Sequence, residues 1–399
     1  MDHQSMPVMN NDTPVQIVAI RDRDNPETER YLDTLRIAFE GVNGEGSSPS
    51  TYLDDAVDLG IQVLDPAGFG EEDFPLDRLL GAARHTIVVT IDPLPENTRL
   101  RERLKELTIR TGDDHQVHVR HPKPTTNGEL QGVTDDPLEV EPALRPVVTA
   151  LRTMECARRL LQTELNRDAD GTKLKFFVSH AKVDGIPVAL SLLGLMRRIA
   201  RVKLEDDNRD FDYFYDVEDI PPGSNWRDEL ERNARNSVLI ALRTEEYENR
   251  YWCRKEYLWA EEMRVPILVV DLRTRAYHNG SRLPFGPAPK VRIHDGNLFR
   301  VILHAVACHL RVLRLEDRVH RNNPAGIFSK VLPRQPSEVS LAAAVTELAM
   351  CLGGHAAGSP SARIVYPNPR LSADYLRAVT PLLDIANGPI QLITTDELE

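Results

Sequence analysis

The sequence has no excess of basic residues and no long apolar run, and these two absences remove several classes of protein. The 399 residues carry a formal net charge of −12. No broad basic surface is implied, so direct binding of nucleic acid is not expected. No apolar stretch approaches the ~20 residues that a membrane-spanning helix requires. We therefore expect a protein whose partners include neither a membrane nor a nucleic acid.

Paired cysteines and glycine-rich nucleotide loops are also missing. The four cysteines are scattered, which argues against a zinc ribbon and suits free thiols in a reducing compartment. No G-x-G-x-x-G follows a predicted strand, so a bound dinucleotide acting as a hydride carrier is not expected. The segment from Met1 to Thr13 is polar and partly acidic, unlike a signal peptide or a presequence. The prediction is a cytoplasmic protein.

Residues 1–140 are predicted to form an α/β domain of unknown role, with sensing or assembly as the candidate roles. Apolar strands alternate with amphipathic segments, which indicates a parallel sheet. The predicted strands are Val15–Ile20, Ile61–Leu64 and His85–Ile91, and the predicted helices are Glu27–Phe39 and Leu76–Arg84. A Pro- and Gly-rich connection, 113–142, and a helical linker, 141–171, are predicted to follow.

Residues 172–315 repeat this alternation more clearly and predict a second parallel sheet. The predicted strands are 174–179, 211–215, 237–242, 265–271 and 291–293, and the predicted helices include 187–199, 225–236 and 298–313. The two α/β runs have a similar order and spacing of strands and helices. This similarity fits an old duplication in which only the second copy kept the helix with Trp252 and Glu256. It fits equally the general pattern of parallel α/β folds.

The remaining segment, 316–399, is predicted to contain a helix at Val339–Leu352, a strand at Arg363–Tyr366, and a final helix and strand. By itself it is too small for a good core. The prediction is that it docks on the N-terminal domain and extends that domain's sheet.

Polar side chains follow the first strand of the second run, in Phe177-Val-Ser-His-Ala-Lys-Val-Asp184. Open parallel sheets bind ligands outside the carboxyl ends of their strands. Ser179, His180 and Asp184 are therefore candidate site residues. The structural alternative is that Asp184 caps the following helix and Ser179 bonds to local backbone.

A stiff loop follows the second strand, in Asp216-Val-Glu-Asp-Ile-Pro-Pro-Gly-Ser-Asn-Trp226. Pro-Pro-Gly favours a projecting turn, and Ser224 is a good N-cap for the next helix. Projecting loops of this kind suit contacts between subunits. Trp226 is then either a core residue or a residue that faces a partner.

The third motif, Trp252-Cys-Arg-Lys-Glu256, follows the third strand and starts a predicted helix. Trp252 and Glu256 are about one turn apart, so we expect them to share a helix face. A carboxylate beside an indole could bind a planar, cationic ligand. The alternative is an ordinary amphipathic helix, in which Tyr251, Trp252 and Trp259 pack inward and Glu256 is solvated.

In this order, on three consecutive strand ends, the motifs together resemble the TIR (Toll/interleukin-1 receptor) domain family, and more closely the bacterial enzymatic TIR proteins. Tyr247 to Glu256 is similar to the family's S-x-W-C-x-x-E helix, with Arg250 where serine is common. The resemblance covers about residues 172–315. It implies a flavodoxin-like parallel sheet for that region.

The resemblance also implies a function, cleavage of the nicotinamide–ribose bond of NAD⁺ on activation by oligomerisation, in bacterial anti-phage defence or stress signalling. NAD⁺ would be a substrate, with no cofactor and no metal, and the product would be ADP-ribose or a cyclised isomer. The implied partners are further copies of the chain, through their TIR domains, and a sensor or activator protein. The implied residues are Glu256 for catalysis, Phe177, Ser179, His180, Asp184 and Trp252 for substrate binding, and Asp219, Pro222, Gly223 and Trp226 for assembly.

Elementary chemistry agrees with a single catalytic carboxylate. Nicotinamide leaves a cationic glycoside as a neutral molecule, so no general acid is needed, unlike in ordinary glycoside hydrolysis. A negative charge about 4 Å from the developing oxocarbenium ion is worth roughly 4 kcal/mol at an effective dielectric of about 20. If realised only in the transition state, this corresponds to about a thousandfold in rate.

The sequence is also compatible with two other interpretations. The first is a non-catalytic scaffold that signals by TIR–TIR assembly through the loop 216–226. The second makes Cys253 a nucleophile with His180 as its base, because a thiol in the first turn of a helix can have a lowered pKa. His304 and Cys308 have the i,i+4 spacing of metal ligands, but two such residues on an apolar helix are more often core.

Overall fold

The computed structural model describes residues 15–20, 26–39, 60–64, 85–90, 116–120, 123–124, 139–140, 144–167, 173–200, 212–215, 226–273, 283, 285, 288–293, 297–323, 327–352, 362–367, 370–384 and 390–398. The chain divides into two compact units, the first mainly Met1–Arg36 and Asp58–Asp170, the second mainly Gly171–Arg201 and Asp207–Glu399. Within the described ranges no helix is both long enough and apolar enough to cross a bilayer.

The first unit contains a four-stranded parallel sheet in the order β2-β1-β3-β4. Its strands are β1 (Val15–Ile20), β2 (Gly60–Leu64), β3 (His85–Thr90) and β4 (Gln116–Arg120), with the short pair β5 (Lys123–Pro124) and β6 (Glu139–Val140) nearby in sequence. Strand β4 lies inside the stretch that the sequence predicts to be a connection, where its five residues are too few to stand out beside the surrounding Pro and Gly. The predicted helix Leu76–Arg84 lies outside the described residues.

Two helices belong to this unit, α1 (Pro26–Phe39) and α2 (Arg145–Glu164). Helix α2 packs on β1, β3 and β4. His85 Nε2 lies 2.7 Å from Glu164 Oε1, and the Tyr31 hydroxyl lies 3.0 Å from Thr153 Oγ1. The helix predicted as a linker is therefore an integral layer of the first unit, because an apolar face of this length must be buried.

The second unit is built around a five-stranded parallel sheet in the order β8-β7-β9-β10-β11. Its strands are β7 (Lys175–His180), β8 (Asp212–Tyr215), β9 (Ser237–Arg243), β10 (Ile267–Asp271) and β11 (Lys290–Arg292). This is the flavodoxin-like order, so the predicted fold class is confirmed. In the first sheet, β2-β1-β3-β4 follow the same relative order as β8-β7-β9-β10 in the second. Either a duplication or the shared pattern of parallel α/β folds would produce this similarity.

Helices cover both faces of the second sheet, and the covered strands are apolar. The helices are α3 (Ile186–Ala200), α4 (Trp226–Asn233), α5 (Tyr251–Glu262) and α6 (Phe299–Asn322). Every residue of the central strand β9 is buried, as expected for a parallel strand that packs on two sides. Helix α6 is buried almost all round from Val301 to Leu310.

The C-terminal segment, residues 327–398, forms a separate parallel sheet in the order β12-β13-β14. Its elements are β12 (Phe328–Val331), α7 (Glu338–Leu352), β13 (Ala362–Tyr366), α8 (Ala373–Leu383) and β14 (Ile390–Thr394). The prediction that this segment extends the N-terminal sheet is wrong for the described strands. Two crossover helices give it a core of its own, which includes Leu341, Leu348 and Ile364, and helix α7 packs on α5 of the same unit.

Candidate active site at the carboxyl ends of β7 and β9

The candidate site lies where two neighbouring central strands end. The order of the second sheet reverses between β7 and β9, and the crevice outside the strand ends at such a point is where open parallel sheets bind ligands. Ser179 is the next-to-last residue of β7, and Tyr247 opens a short 3-10 helix after β9. Helix α5 follows immediately and carries Glu256.

Tyr247, Ser179 and Glu256 form a buried chain of hydrogen bonds. Ser179 Oγ donates to Glu256 Oε2 at 2.5 Å and lies 2.8 Å from the Tyr247 hydroxyl oxygen. A serine hydroxyl has a single proton. Since that proton points at Glu256, the Tyr247 hydroxyl is the donor in the second bond. Hydrogen bonds to a carboxylate are short and strong, so this chain holds Glu256 in one orientation.

The environment of this chain keeps Tyr247 a donor. Burial raises the pKa of Tyr247 well above its ordinary value of 10.0, and the nearby Glu256 raises that pKa further. The phenol therefore stays protonated throughout the neutral range. Glu256 is only 9% exposed, which contradicts the interpretation of this residue as a solvated helix-surface glutamate. Carboxylates are rarely so buried unless they are hydrogen-bonded.

Tyr247 is a site residue that sequence reasoning missed. It lies in a polar turn between Arg243 and Arg250 and begins the segment that resembles the TIR helix, but that resemblance assigns roles only to Trp252 and Glu256. The available signal was a large aromatic residue inside an otherwise charged turn, because such a side chain is expected to be buried. In the structure it is fully buried.

Asp184 joins the two loops that border the site. Its Oδ1 accepts a hydrogen bond from Thr244 Oγ1 at 2.7 Å, and its Oδ2 accepts one from the Glu246 backbone N–H at 3.1 Å. The loop after β7 is thereby fixed to the loop after β9, which contains Tyr247. These contacts give Asp184 a positioning role in the described structure, and the predicted direct contact with substrate stays a prediction.

Gly185 allows the turn after β7 to close tightly. Its backbone N–H donates to the Ala181 carbonyl at 2.8 Å. A Cβ atom at position 185 would lie 2.9 Å from that carbonyl oxygen and 3.0 Å from the His180 Cβ. Glycine is therefore required by the close approach of the backbone at this position, directly after Asp184.

The comparison with protein families agrees with this geometry. The family model of the TIR domain matches residues 176–293, which begin in β7 and end just after β11 and so contain every residue of the hydrogen-bonded chain. Residues 176–293 are a TIR domain. A comparison with curated proteins found no significant match to the chain.

Trp252 does not share the environment of Glu256 in the TIR domain. Its indole is 64% exposed. It makes an edge contact with Tyr251, at 5.3 Å between ring centroids, and a tilted contact with Trp259 at 6.4 Å. The two residues lie four apart on one α-helix, as predicted, but only Glu256 is enclosed, and substrate binding by Trp252 stays a prediction. Residues four apart differ by roughly 40° around a helix, and here the neighbouring elements cover one side chain and leave the other open.

Phe177 and His180, near the carboxyl end of β7, are both buried. Phe177 is completely buried in the core cluster that includes Leu239 and Tyr257, so its ring packs in the core in the described structure, and its contact with substrate stays a prediction. Side chains alternate along a strand, which places His180 on the opposite face of β7 from Ser179. The His180 carbonyl accepts a hydrogen bond from Cys253 Sγ at 3.4 Å. Substrate binding by the imidazole of His180 stays a prediction.

The thiol of Cys253 is unsuited to nucleophilic catalysis. Burial, followed by the charge of Glu256, raises the pKa of Cys253 to about 12. The nucleophile of a cysteine enzyme is the thiolate, and at neutral pH this thiol stays protonated. The interpretation of Cys253 and His180 as a catalytic pair is therefore not supported.

Metal ligation is likewise not supported by the described residues. Among them no three His, Cys, Asp or Glu side chains are grouped so that they could hold an ion. His304 and Cys308 are both buried on helix α6. Burial, then the charges of Arg311 and Arg300, lowers the pKa of His304 to about 3, so the imidazole is a neutral core group.

Most of the predicted assembly loop lies outside the described residues. This applies to Asp219, Pro222 and Gly223. Trp226 is the first residue of helix α4, in agreement with a helix starting directly after the loop. Assembly through this loop stays a prediction.

Proposed function

We propose that this TIR domain cleaves the nicotinamide–ribose bond of NAD⁺ and that Glu256 is the carboxylate on which the reaction depends. The observation that carries the proposal is the short hydrogen bond from Ser179 to Glu256 at the point where the sheet order reverses. A buried, oriented carboxylate in the crevice at such a point is a candidate functional group. NAD⁺ enters as a substrate that is consumed.

The chemistry assigned to Glu256 is electrostatic. As the glycosidic bond lengthens, positive charge develops on the ribose while nicotinamide departs as a neutral base. A carboxylate that is already oriented stabilises this charge without reorganising during the reaction. The hydrogen bond from Ser179 fixes the direction of the carboxylate, and the Tyr247 hydroxyl fixes the serine.

Activation by oligomerisation is part of the same proposal. The exposed Tyr251 and Trp252 rings begin helix α5, five and four residues before Glu256. Exposed aromatic residues that cluster together are typical of protein contact surfaces. A second copy of the chain bound to this helix would act directly on the element that carries the catalytic carboxylate.

The proposed setting is a bacterial cytoplasm, in defence against phage or in stress signalling, with a sensor or activator protein upstream.

The same exposed aromatic cluster favours the second candidate function, a non-catalytic scaffold that acts only by assembly. In a scaffold, Glu256 would serve as a structural anchor for Ser179 and Tyr247. The two functions differ in one observable, release of nicotinamide by the assembled protein.

The deciding experiment incubates concentrated protein with NAD⁺ and follows free nicotinamide by chromatography. Glu256→Gln keeps the size of the side chain and removes its charge. We expect at least a hundredfold loss of turnover, because the attraction between the carboxylate and the developing cation is then lost from the transition state. Glu262→Gln is the matched control, because Glu262 lies on the same helix in a half-exposed ion pair with Arg227.

Equal turnover by the wild type and Glu256→Gln would overturn the enzyme proposal. If the wild type is silent, the TIR domains are brought together with a fused, ligand-induced dimerisation module and the assay is repeated. Continued silence of the dimerised protein would favour the scaffold.

A further inference from the structure

The far end of helix α5 is held by the C-terminal segment. Glu261 is buried, forms an ion pair with Arg334, and accepts a hydrogen bond from Ser337 Oγ at 2.8 Å. Arg334 and Ser337 lie between strand β12 and helix α7. The match to the TIR domain ends at residue 293, so this contact joins the domain to a part of the chain beyond it.

Arg334 also reaches the residue that follows the proposed catalytic glutamate. Its Nη1 donates to the Tyr257 hydroxyl at 2.9 Å, and its guanidinium carbon lies 5.5 Å from the centre of the Tyr257 ring. The Tyr257 ring packs edge-on against Phe285, at 4.8 Å between centroids. One buried guanidinium thus contacts two side chains of the buried face of α5, at positions directly after and five residues after Glu256.

A second, more exposed contact holds the end of the helix. Arg264 donates to both oxygens of Glu347, at 2.7 and 3.0 Å, and Lys330 Nζ lies 2.7 Å from the same carboxylate. Arg264 has a φ of 57°, in the left-handed region that favours glycine. The backbone N–H groups of Arg264 and Val265 bond back to Glu261 and Ala260, which is the usual glycine-ended helix terminus. An arginine at this position is strained, and its guanidinium is held by the bidentate bond to Glu347.

These contacts are sensitive to the loss of one partner. A buried ion pair contributes little compared with a well-packed apolar pair, but removing one member leaves an unpaired buried charge and is strongly destabilising. Glu261 without Arg334 would be such a charge. The carboxylate would then draw water or move outward, and α5 would move with it.

We propose that the C-terminal segment is a positioning element for the active site, in which Arg334 acts through Tyr257 and Glu261 to hold the helix that carries Glu256. The effect on catalysis rests on the proposed NAD⁺ cleavage, whereas the mechanical coupling does not. A factor that displaces this segment would then lower activity without touching Ser179, Tyr247 or Glu256. The functional unit extends from β7 to the end of β14, beyond the matched TIR domain.

The test compares full-length Arg334→Met with Arg334→Lys and with Arg370→Met. Lysine keeps the charge at position 334. Arg370 is an exposed arginine of the same segment that pairs with Glu397 and serves as the matched control. Amide hydrogen exchange is measured by mass spectrometry for peptides of Tyr251–Glu262 and for peptides of β9. Nicotinamide release gives kcat and KM.

For Arg334→Met we expect at least tenfold faster exchange confined to the α5 peptides, with kcat reduced at least tenfold and KM changed less. Arg334→Lys should recover part of both losses, and Arg370→Met should match the wild type.

Unchanged exchange in α5, or equal acceleration in the β9 peptides, would overturn the proposal. If Arg334→Met fails to fold, Arg334→Lys and Glu347→Gln carry the test with smaller expected effects. Faster exchange in α5 in a protein that never releases nicotinamide would support the positioning and overturn the catalytic function.

Discussion

Ser179 Oγ lies 2.5 Å from Glu256 Oε2, in a bond that joins two residues 77 positions apart in the chain. The strand end and the helix that provide these residues belong to different α/β repeats of the sheet. Ser179 and Glu256 can come into contact only if β7, β9 and α5 have the observed arrangement. The bond is therefore a sensitive indicator of both the fold and the proposed chemistry.

The first prediction concerns Ser179→Ala. Removal of the hydroxyl frees the carboxylate of Glu256 to rotate, and displacements of about 1 Å in a reacting group can cost roughly a hundredfold in rate. We expect kcat for nicotinamide release to fall by about tenfold to a hundredfold, with KM changed less. Ser191→Ala is the control, because Ser191 is exposed and bonds only to the Pro187 carbonyl in the described contacts. A Ser179→Ala protein with wild-type kcat would contradict the positioning role.

The second prediction concerns Tyr247→Phe, which removes one buried hydroxyl and keeps the ring. A buried hydrogen bond of this kind contributes about 1 kcal/mol to the free energy of unfolding. We expect that loss in urea denaturation, together with a several-fold decrease in kcat, because Ser179 no longer has a fixed orientation. Tyr251→Phe, at an exposed ring of helix α5, should change stability by less than about 0.5 kcal/mol. Equal stability of the two variants would show that the Tyr247 hydroxyl is not bonded in solution.

The third prediction concerns Trp252→Ala and assembly. Because the indole is 64% exposed, its removal should leave the unfolding free energy within about 0.5 kcal/mol of the wild-type value. If the aromatic cluster is the contact surface, sedimentation should show weaker self-association, and activity should fall most at low protein concentration. Met350→Ala is the control, as another large, exposed apolar side chain far along the chain. Unchanged sedimentation of Trp252→Ala would exclude this surface.

The fourth prediction concerns the reactivity of the thiols with pH. A pKa raised to about 12 keeps Cys253 protonated below that pH, so alkylation should be slow from about pH 7 to pH 9. Cys351 is exposed and should react quickly over the same range, with little effect on activity. Mass spectrometry of the alkylated peptides measures both rates. Labelling of Cys253 as fast as Cys351 in the folded protein would contradict its burial.

The local features of residues 172–315 could be predicted from the sequence, because strand and helix periods are local properties. The apolar segment 237–242 is strand β9, and the helix with Glu256 follows it. The three polar segments on successive strand ends also carried the resemblance to the TIR family, which the match of the family model confirms for residues 176–293.

Local periodicity was less informative where packing partners are distant. Trp252 and Glu256 occupy neighbouring positions on one helix, yet their exposure differs because the surrounding elements cover only one of them. Phe177 lies beside Ser179 on the same face of β7 but is enclosed by the core. Tyr247 has no periodic signal at all in its short 3-10 helix.

The parallel α/β class could be predicted from the spacing of apolar residues, and the TIR domain and the candidacy of Glu256 from the resemblance of short motifs to a known family, because such features lie in short segments and their order. The folded structure was needed to show that Tyr247 completes the buried hydrogen-bonded chain and that Arg334, 77 residues after Tyr257, bonds to the Tyr257 hydroxyl. Such contacts depend on which surfaces meet after folding. Apolar spacing along the chain specifies that a face must be buried, and it does not specify the partner that buries it.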